Sequence, residues 1–279
     1  MADTIASPAA SAAASSQSPA HLATWGPPRT GIASLPLSGG VFFLGFGLLL
    51  GFLLGAAIGK EWVAMPATYG GFGAALAYWW YFAHKARFSF WRSIGKPMER
   101  AHVVPLCLAC IALTGVRLGW FSALSTWGTL PEVVIAKPGS AQAYLFCLII
   151  VGLDPIVEEI LFRGLLFWQL SRWIQPIGAA AVSSLLFGAF HPDPVGSTCM
   201  ALIVTGLYAR TQTLWVPMVA HGLLNGLAIL LGSDSVWSYI MAHTEIVLWL
   251  QLLFVPWFVW LCIQSARALR GFSFPESNP

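Results

Sequence analysis

Three short polar patterns interrupt apolar stretches of this chain, and each carries residue types that hydrolytic chemistry uses. The first is Asp154, Glu158, Glu159 and Arg163 within GLDPIVEEILFRG. Glu159 and Arg163 stand four apart, so on a helix they share a face and the carboxylate can pair with the guanidinium. Glu158 is turned about 100° from Glu159 on an ideal helix, free to face another cavity and to hold a proton or a metal-bound water. The second pattern, FGAFH, sets Phe187 one turn before His191 on the same face. The third, HGLLN, spaces His221 and Asn225 by one turn, aiming imidazole and carboxamide at a single point where they can donate to an oxyanion. Asp193, between Pro192 and Pro194, reads as a turn acid, and His243 and Glu245 as loop residues beside an apolar run; none of the three is given a role.

The elements that must position these groups are membrane helices. Hydrophobic residues make up 57% of the 279, charged residues only 9%, and mean hydropathy is +0.74. That balance excludes an ordinary soluble domain. A helix crossing a bilayer needs about 20 mostly apolar residues. Such stretches lie near 41–59, up to the Tyr78–Tyr81 aromatic cluster, and near 101–123, 141–169, 177–191, 196–209, 215–231 and 245–263. The expected fold is therefore all-α, a polytopic transmembrane helical bundle of about eight spans. An ionisable group inside such a span costs roughly 2.5–3.5 kcal/mol on insertion scales, so it marks function by default.

Four regions are expected: an Ala/Ser-rich disordered tail over 1–35, helices over 36–140, the part bearing all three patterns over 141–263, and a short tail over 264–279. Lys85, Arg87, Arg92, Lys96 and Arg100 form a basic loop that the positive-inside rule places in the cytoplasm. Alternation then brings Arg172, Arg210, Arg267, Arg270 and both termini to that side, with Lys60 and Lys137 as exceptions. The net charge of +3 is spread over joints between spans, which speaks for topology and against nucleic acid. Cys107 and Cys110, like the other three cysteines, belong to apolar segments and read as small hydrophobes. Gly47, Gly51, Gly55 and Gly59 recur every four residues, a face on which a helix of this chain or of a second copy can pack closely.

Depth along the helices is a further check. At about 1.5 Å per residue, Glu158, His191, Asn225 and His221 lie about 17, 21, 15 and 9 Å from the cytoplasmic ends of their spans, compatible with one buried site. The ordered set EEILFR, FGAFH and HGLLN resembles the EExxxR, FxxxH and HxxxN motifs of the CAAX-protease and bacteriocin-processing (CPBP) family of intramembrane proteases, over residues 141–231. The resemblance implies a multi-pass protein of a bacterial plasma membrane that cleaves membrane-associated or prenylated peptides. It implies that Glu158 and His191 activate water, that His221 and Asn225 stabilise the oxyanion, and that Glu159 and Arg163 support them. It also raises a metalloprotease reading with Zn2+ on Glu158, His191 and His221, although there is no HExxH and the residues equally allow a metal-free water. A proton- or cation-coupled carrier, or a non-catalytic scaffold, are the rival functions; the two halves show no self-similarity of the kind carriers have.

Overall fold

In the computed structural model, the described residues are 35–58, 64–87, 94–126, 141–171, 173–231 and 234–272. They form helices and no strand. We number these α1 (Leu37–Ile58), α2 (Ala64–Lys85), α3 (Arg100–Thr126), α4 (residues 141–170), α5 (Pro176–Ala189), α6 (Pro194–Thr211), α7 (Trp215–Leu231), α8 (Asp234–Ala242) and α9 (Thr244–Arg270). The tail before residue 35, Gly59, Lys60, Arg92, Lys137, Arg172 and the last seven residues lie outside the described residues, as do the contacts of Gly55.

The protein is an all-α helical membrane bundle. Two of its helices, Arg100–Leu124 within α3 and Thr244–Arg270, are long and apolar enough to cross a bilayer alone, and α7 with α8 forms a third crossing if the pair is one bent span. The expected eight are not all recognisable by length and apolarity, for a physical reason. Helix α4 holds four ionisable residues, Asp154, Glu158, Glu159 and Arg163, and α5 has only 14 residues.

Helix α4 stands between two packed cores. Ile160, Leu165 and Phe167 belong to one, with Trp79 of α2 and Ala179 of α5. Phe162 belongs to the other, with Phe187 of α5, Met200 of α6 and Ala220 of α7. Close helix approach recurs where glycine removes the side chain. A Cβ on Gly47 would lie 2.7 Å from the Gly71 Cα, so this glycine of the α1 stripe serves packing on α2 within the chain. Gly115 and Gly119 of α3 lie under Phe254 and Gln251 of α9, and Gln251 Nε2 donates to the Gly115 carbonyl at 3.0 Å.

Described joints with basic residues and the end of α9 gather at one end of the bundle. Leu214 N donates to Ile94 O at 2.8 Å, Thr213 Oγ1 donates to Lys96 O at 2.6 Å, and Phe272 packs on Phe167, Trp168 and Tyr208. Lys96, Arg210 and Arg270 all belong to this end, which alternation in the sequence expects to be cytoplasmic.

Helix α4 is not a regular α-helix. Its segments are Ala141–Leu148, a π turn over Ile149–Leu153, an α stretch over Asp154–Glu159, a second π turn over Ile160–Leu166, and Phe167–Leu170. The short α stretch between the π turns holds both glutamates, in keeping with the tendency of π turns to occur at functional sites.

Candidate active site

Glu159 and Arg163 face each other across one turn of α4, with Arg163 Nη1 donating to Glu159 Oε1 at 2.8 Å. Both side chains are fully enclosed, at 0% and 1% exposure. The guanidinium also donates through Nη2 to the Ala201 carbonyl at 3.2 Å and through Nε to Thr205 Oγ1 at 3.3 Å, both on α6. Its Cζ lies 4.9 Å from the centre of the Phe187 ring, which adds a cation–π contact. A charge so deep is tolerable only when paired and hydrogen-bonded, and this one is.

His221 of α7 reaches the same carboxylate: its Nδ1 is 2.9 Å from Glu159 Oε1. An ionised carboxylate accepts only, so Nδ1 carries the proton and Nε2 presents a lone pair in the neutral imidazole. His191 has the same tautomer by the same argument, since its Nδ1 is 2.7 Å from the Phe187 carbonyl. The His191 ring stacks on Phe187 at 4.2 Å, and His221 meets that ring edge-on at 5.6 Å. Phe187 is thus the common wall of Arg163, His191 and His221.

Both Nε2 atoms face Glu158. Its Oε2 lies 3.8 Å from His191 Nε2 and 3.7 Å from His221 Nε2, and it has no hydrogen-bond partner although it is buried. These distances exceed a direct hydrogen bond. Glu158 Oε2 and the two Nε2 atoms therefore face a common gap, and a water placed there can bond to all three. Glu158 and His191 are partly open, at 19% and 25% side-chain exposure, whereas His221 is closed at 2%.

Two imidazole nitrogens and a carboxylate are also a donor set that zinc accepts. Among the described residues, however, no group of three or more His, Cys, Asp or Glu side chains is close enough to hold a metal ion. The separations of 3.7 and 3.8 Å from Glu158 Oε2 to the two histidine Nε2 atoms are wider than the roughly 3.3 Å between ligand atoms of a tetrahedral zinc, and no step below runs through a metal.

Asn225 departs from its expected convergence with His221. Its Nδ2 donates to the Ile150 carbonyl at 2.9 Å. The cause is in α4: Asp154 gives its N–H to Ile149, five residues back, and Pro155 has none to give. Ile150 O thereby loses the donor that either an α or a π ladder would supply, and Asn225 replaces it. One turn earlier on α7, a Cβ on Gly222 would stand 2.6 Å from the Val151 carbonyl, so glycine is what lets α7 approach this broken turn. Asn225 keeps a second N–H, so a role toward an oxyanion is compatible with this bond.

The fold thus brings Glu158, Glu159, Arg163, His191 and His221 into one connected cluster, with Asn225 beside it on α7. Sequence reasoning misses Thr205, which holds Arg163, and gives Phe187 no role; a buried threonine in an apolar helix was the available signal for the first. His243 and Glu245 lie at the start of α9, where the His243 ring packs on Tyr239.

Comparison with known proteins shows what a helical membrane bundle with this cluster is similar to. Residues 140–227 match the family model described as Type II CAAX prenyl endopeptidase Rce1-like. This bears out the resemblance read from EEILFR, FGAFH and HGLLN. The chain is 36% identical over 94 residues to YdiL of Bacillus subtilis, named as a candidate membrane peptidase, covering 33% of this chain and 38% of that one. It is 34% identical over 108 residues to the membrane-embedded CAAX protease MroQ of Staphylococcus aureus, covering 35% of this chain and 42% of that one. The matches thus span about two fifths of each relative's length. No solved structure matches the chain.

Proposed function

We propose that this protein is an intramembrane endopeptidase in which Glu158, helped by His191, activates a water for attack on a peptide carbonyl. The observation that carries the reading is the unpartnered Glu158 Oε2, facing two imidazole nitrogens at 3.7 and 3.8 Å across a gap that suits a water. The family-model match over the segment with all three motifs, and the similarity to protease relatives, support it.

In this reading the water donates one hydrogen to Glu158 as its oxygen adds to the carbonyl carbon. The carboxylic acid so formed passes the proton to the leaving amine, and the carboxylate is restored. His191, oriented by the Phe187 carbonyl, accepts the water's second hydrogen as a hydrogen bond and fixes the direction of attack. His221 is braced on Glu159, and when protonated it donates through Nε2 to the developing oxyanion, with the second Asn225 N–H as its companion. Substrates are membrane-associated peptides or prenylated C-terminal tails that approach from the cytoplasmic face.

The test compares newly formed peptide termini in host membranes carrying the intact protein or Glu158→Gln at equal abundance. Termini present only with the intact protein are expected, and they name the substrates. Chelation and metal analysis of the purified protein then decide whether a metal joins the water. Identical terminal profiles from two folded, abundant proteins would sink the protease reading and favour a carrier or scaffold.

A further inference from the structure

His191 sits in the four-residue joint 190–193 between α5 and α6, two residues before Asp193. Asp193 is 7% exposed, and three groups converge on it. Oδ1 accepts from Gly196 N at 3.0 Å, which caps α6, and from Trp120 Nε1 at 3.3 Å. Oδ2 lies 3.4 Å from Arg117 Nε. Arg117 and Trp120 are three residues apart on α3, so one face of that helix presents both donors.

Capping α6 requires only the bond to Gly196. The two groups from α3 exceed that need, and they place a guanidinium inside an apolar helix, where a charge is costly. What they add is a polar tie between α3 and the joint that carries His191. The joint transmits position well. Pro192 and Pro194 have fixed φ on either side of Asp193, and His191 N donates to Gly188 O at 3.0 Å. The His191 side chain is a quarter exposed on its open side, so its placement depends on the joint beneath it and on the Phe187 contacts. Arg117 is also within electrostatic reach of His191, and Asp193 is the counter-charge set against it.

We propose that Asp193, held by Arg117 and Trp120, positions His191 against Glu158, so that α3 sets the geometry of the water-activating pair. These three are positioning residues; none touches the reacting atoms. The inference rests on the protease reading of the site.

The test uses the full chain in proteoliposomes with a substrate taken from the terminus comparison, and Trp120→Phe, Asp193→Asn and their combination. Trp120→Phe keeps an aromatic ring and removes the N–H; Asp193→Asn keeps the size and the cap to Gly196 and removes the charge. Each is expected to lower kcat by about tenfold, as small misplacements of reacting groups do, with KM and the melting temperature unchanged. The combination is expected to fall short of the product of the two losses, because both ties act through the one side chain at position 193. Unchanged kcat in either single variant overturns the proposal, as does a rise in KM alone, a fall only in melting temperature, or multiplicative loss in the combination. The control separates the two layers of argument. If Glu158→Gln cleaves as the intact protein does, the protease reading falls and this inference with it; if Glu158→Gln is inactive while Trp120→Phe and Asp193→Asn are fully active, only the positioning role falls.

Discussion

Adjacent residues of one helix, Glu158 and Glu159, end in opposite circumstances. Glu159 is sealed from solvent and its Oε1 receives both Arg163 and His221 at 2.8 and 2.9 Å. Glu158 is partly open, and its buried Oε2 receives nothing closer than 3.7 Å. The first arrangement ties α4 to α7 through Oε1 and, by way of Arg163, to α6, while Glu159 Oε2 stays enclosed without a partner. The second leaves an acceptor poised at a gap. Two carboxylates next to each other in sequence are thereby separated into a brace and a candidate base, and the partners alone tell them apart.

The contrast is sharpest under substitution. Glu158→Gln is expected to cut cleavage by about 10²–10⁴-fold, the usual contribution of a positioned general base, with the melting temperature in detergent unchanged. A variant that melts early instead would dissolve the distinction. Glu159→Gln is expected to behave in reverse, destabilising by about 3–5 kcal/mol because it strands the buried Arg163, as equilibrium unfolding in mixed micelles can measure. Asn225→Ala removes the donor from the Ile150 carbonyl and should cost about 1–3 kcal/mol in the same assay. Any further fall in kcat beyond what the folded fraction explains would add an oxyanion role to the structural one. The smallest effect is expected of Thr205→Val, which takes one hydrogen bond from Arg163 on the braced side; about 1 kcal/mol of stability should go, with kcat unmoved.

Much of this was legible in the sequence, for reasons that particular elements show. The apolar run 215–231 coincides with α7, and 101–123 falls within Arg100–Thr126, because apolar length decides where membrane helices form. The run 177–191 is shortened: α5 stops at Ala189 and His191 enters a joint, because Pro192 and Pro194 cannot continue a helical ladder. The pairing of Glu159 with Arg163 follows from four-residue spacing alone. The bond of Asn225 to Ile150 does not, because it depends on the π turn at Ile149–Leu153 next to Pro155, and a π turn leaves no periodic mark in so apolar a helix. The tie from α3 to Asp193 was equally hidden: Arg117 is one cation in a long apolar segment, and its partner lies 76 residues away in a pattern that reads as a simple turn. Helix α8 was not read as an element, since nine residues of mixed polarity fall below what a crossing requires.

The π turn at Ile149–Leu153 has a consequence for descent by insertion and deletion. Such a turn amounts to a helix that has absorbed one extra residue without breaking. Removing any one residue of this stretch would restore the ordinary ladder, turn the preceding helix by about 100° relative to Glu158, and shift it by about 1.5 Å. Hydropathy would scarcely register the change, yet the carbonyls of the preceding helix would turn to a different face, and α7 would meet a different surface. Two homologous chains of equal apolarity and identical motifs can therefore differ in whether their third motif reaches the other two, and a gap of one position in an alignment here separates them.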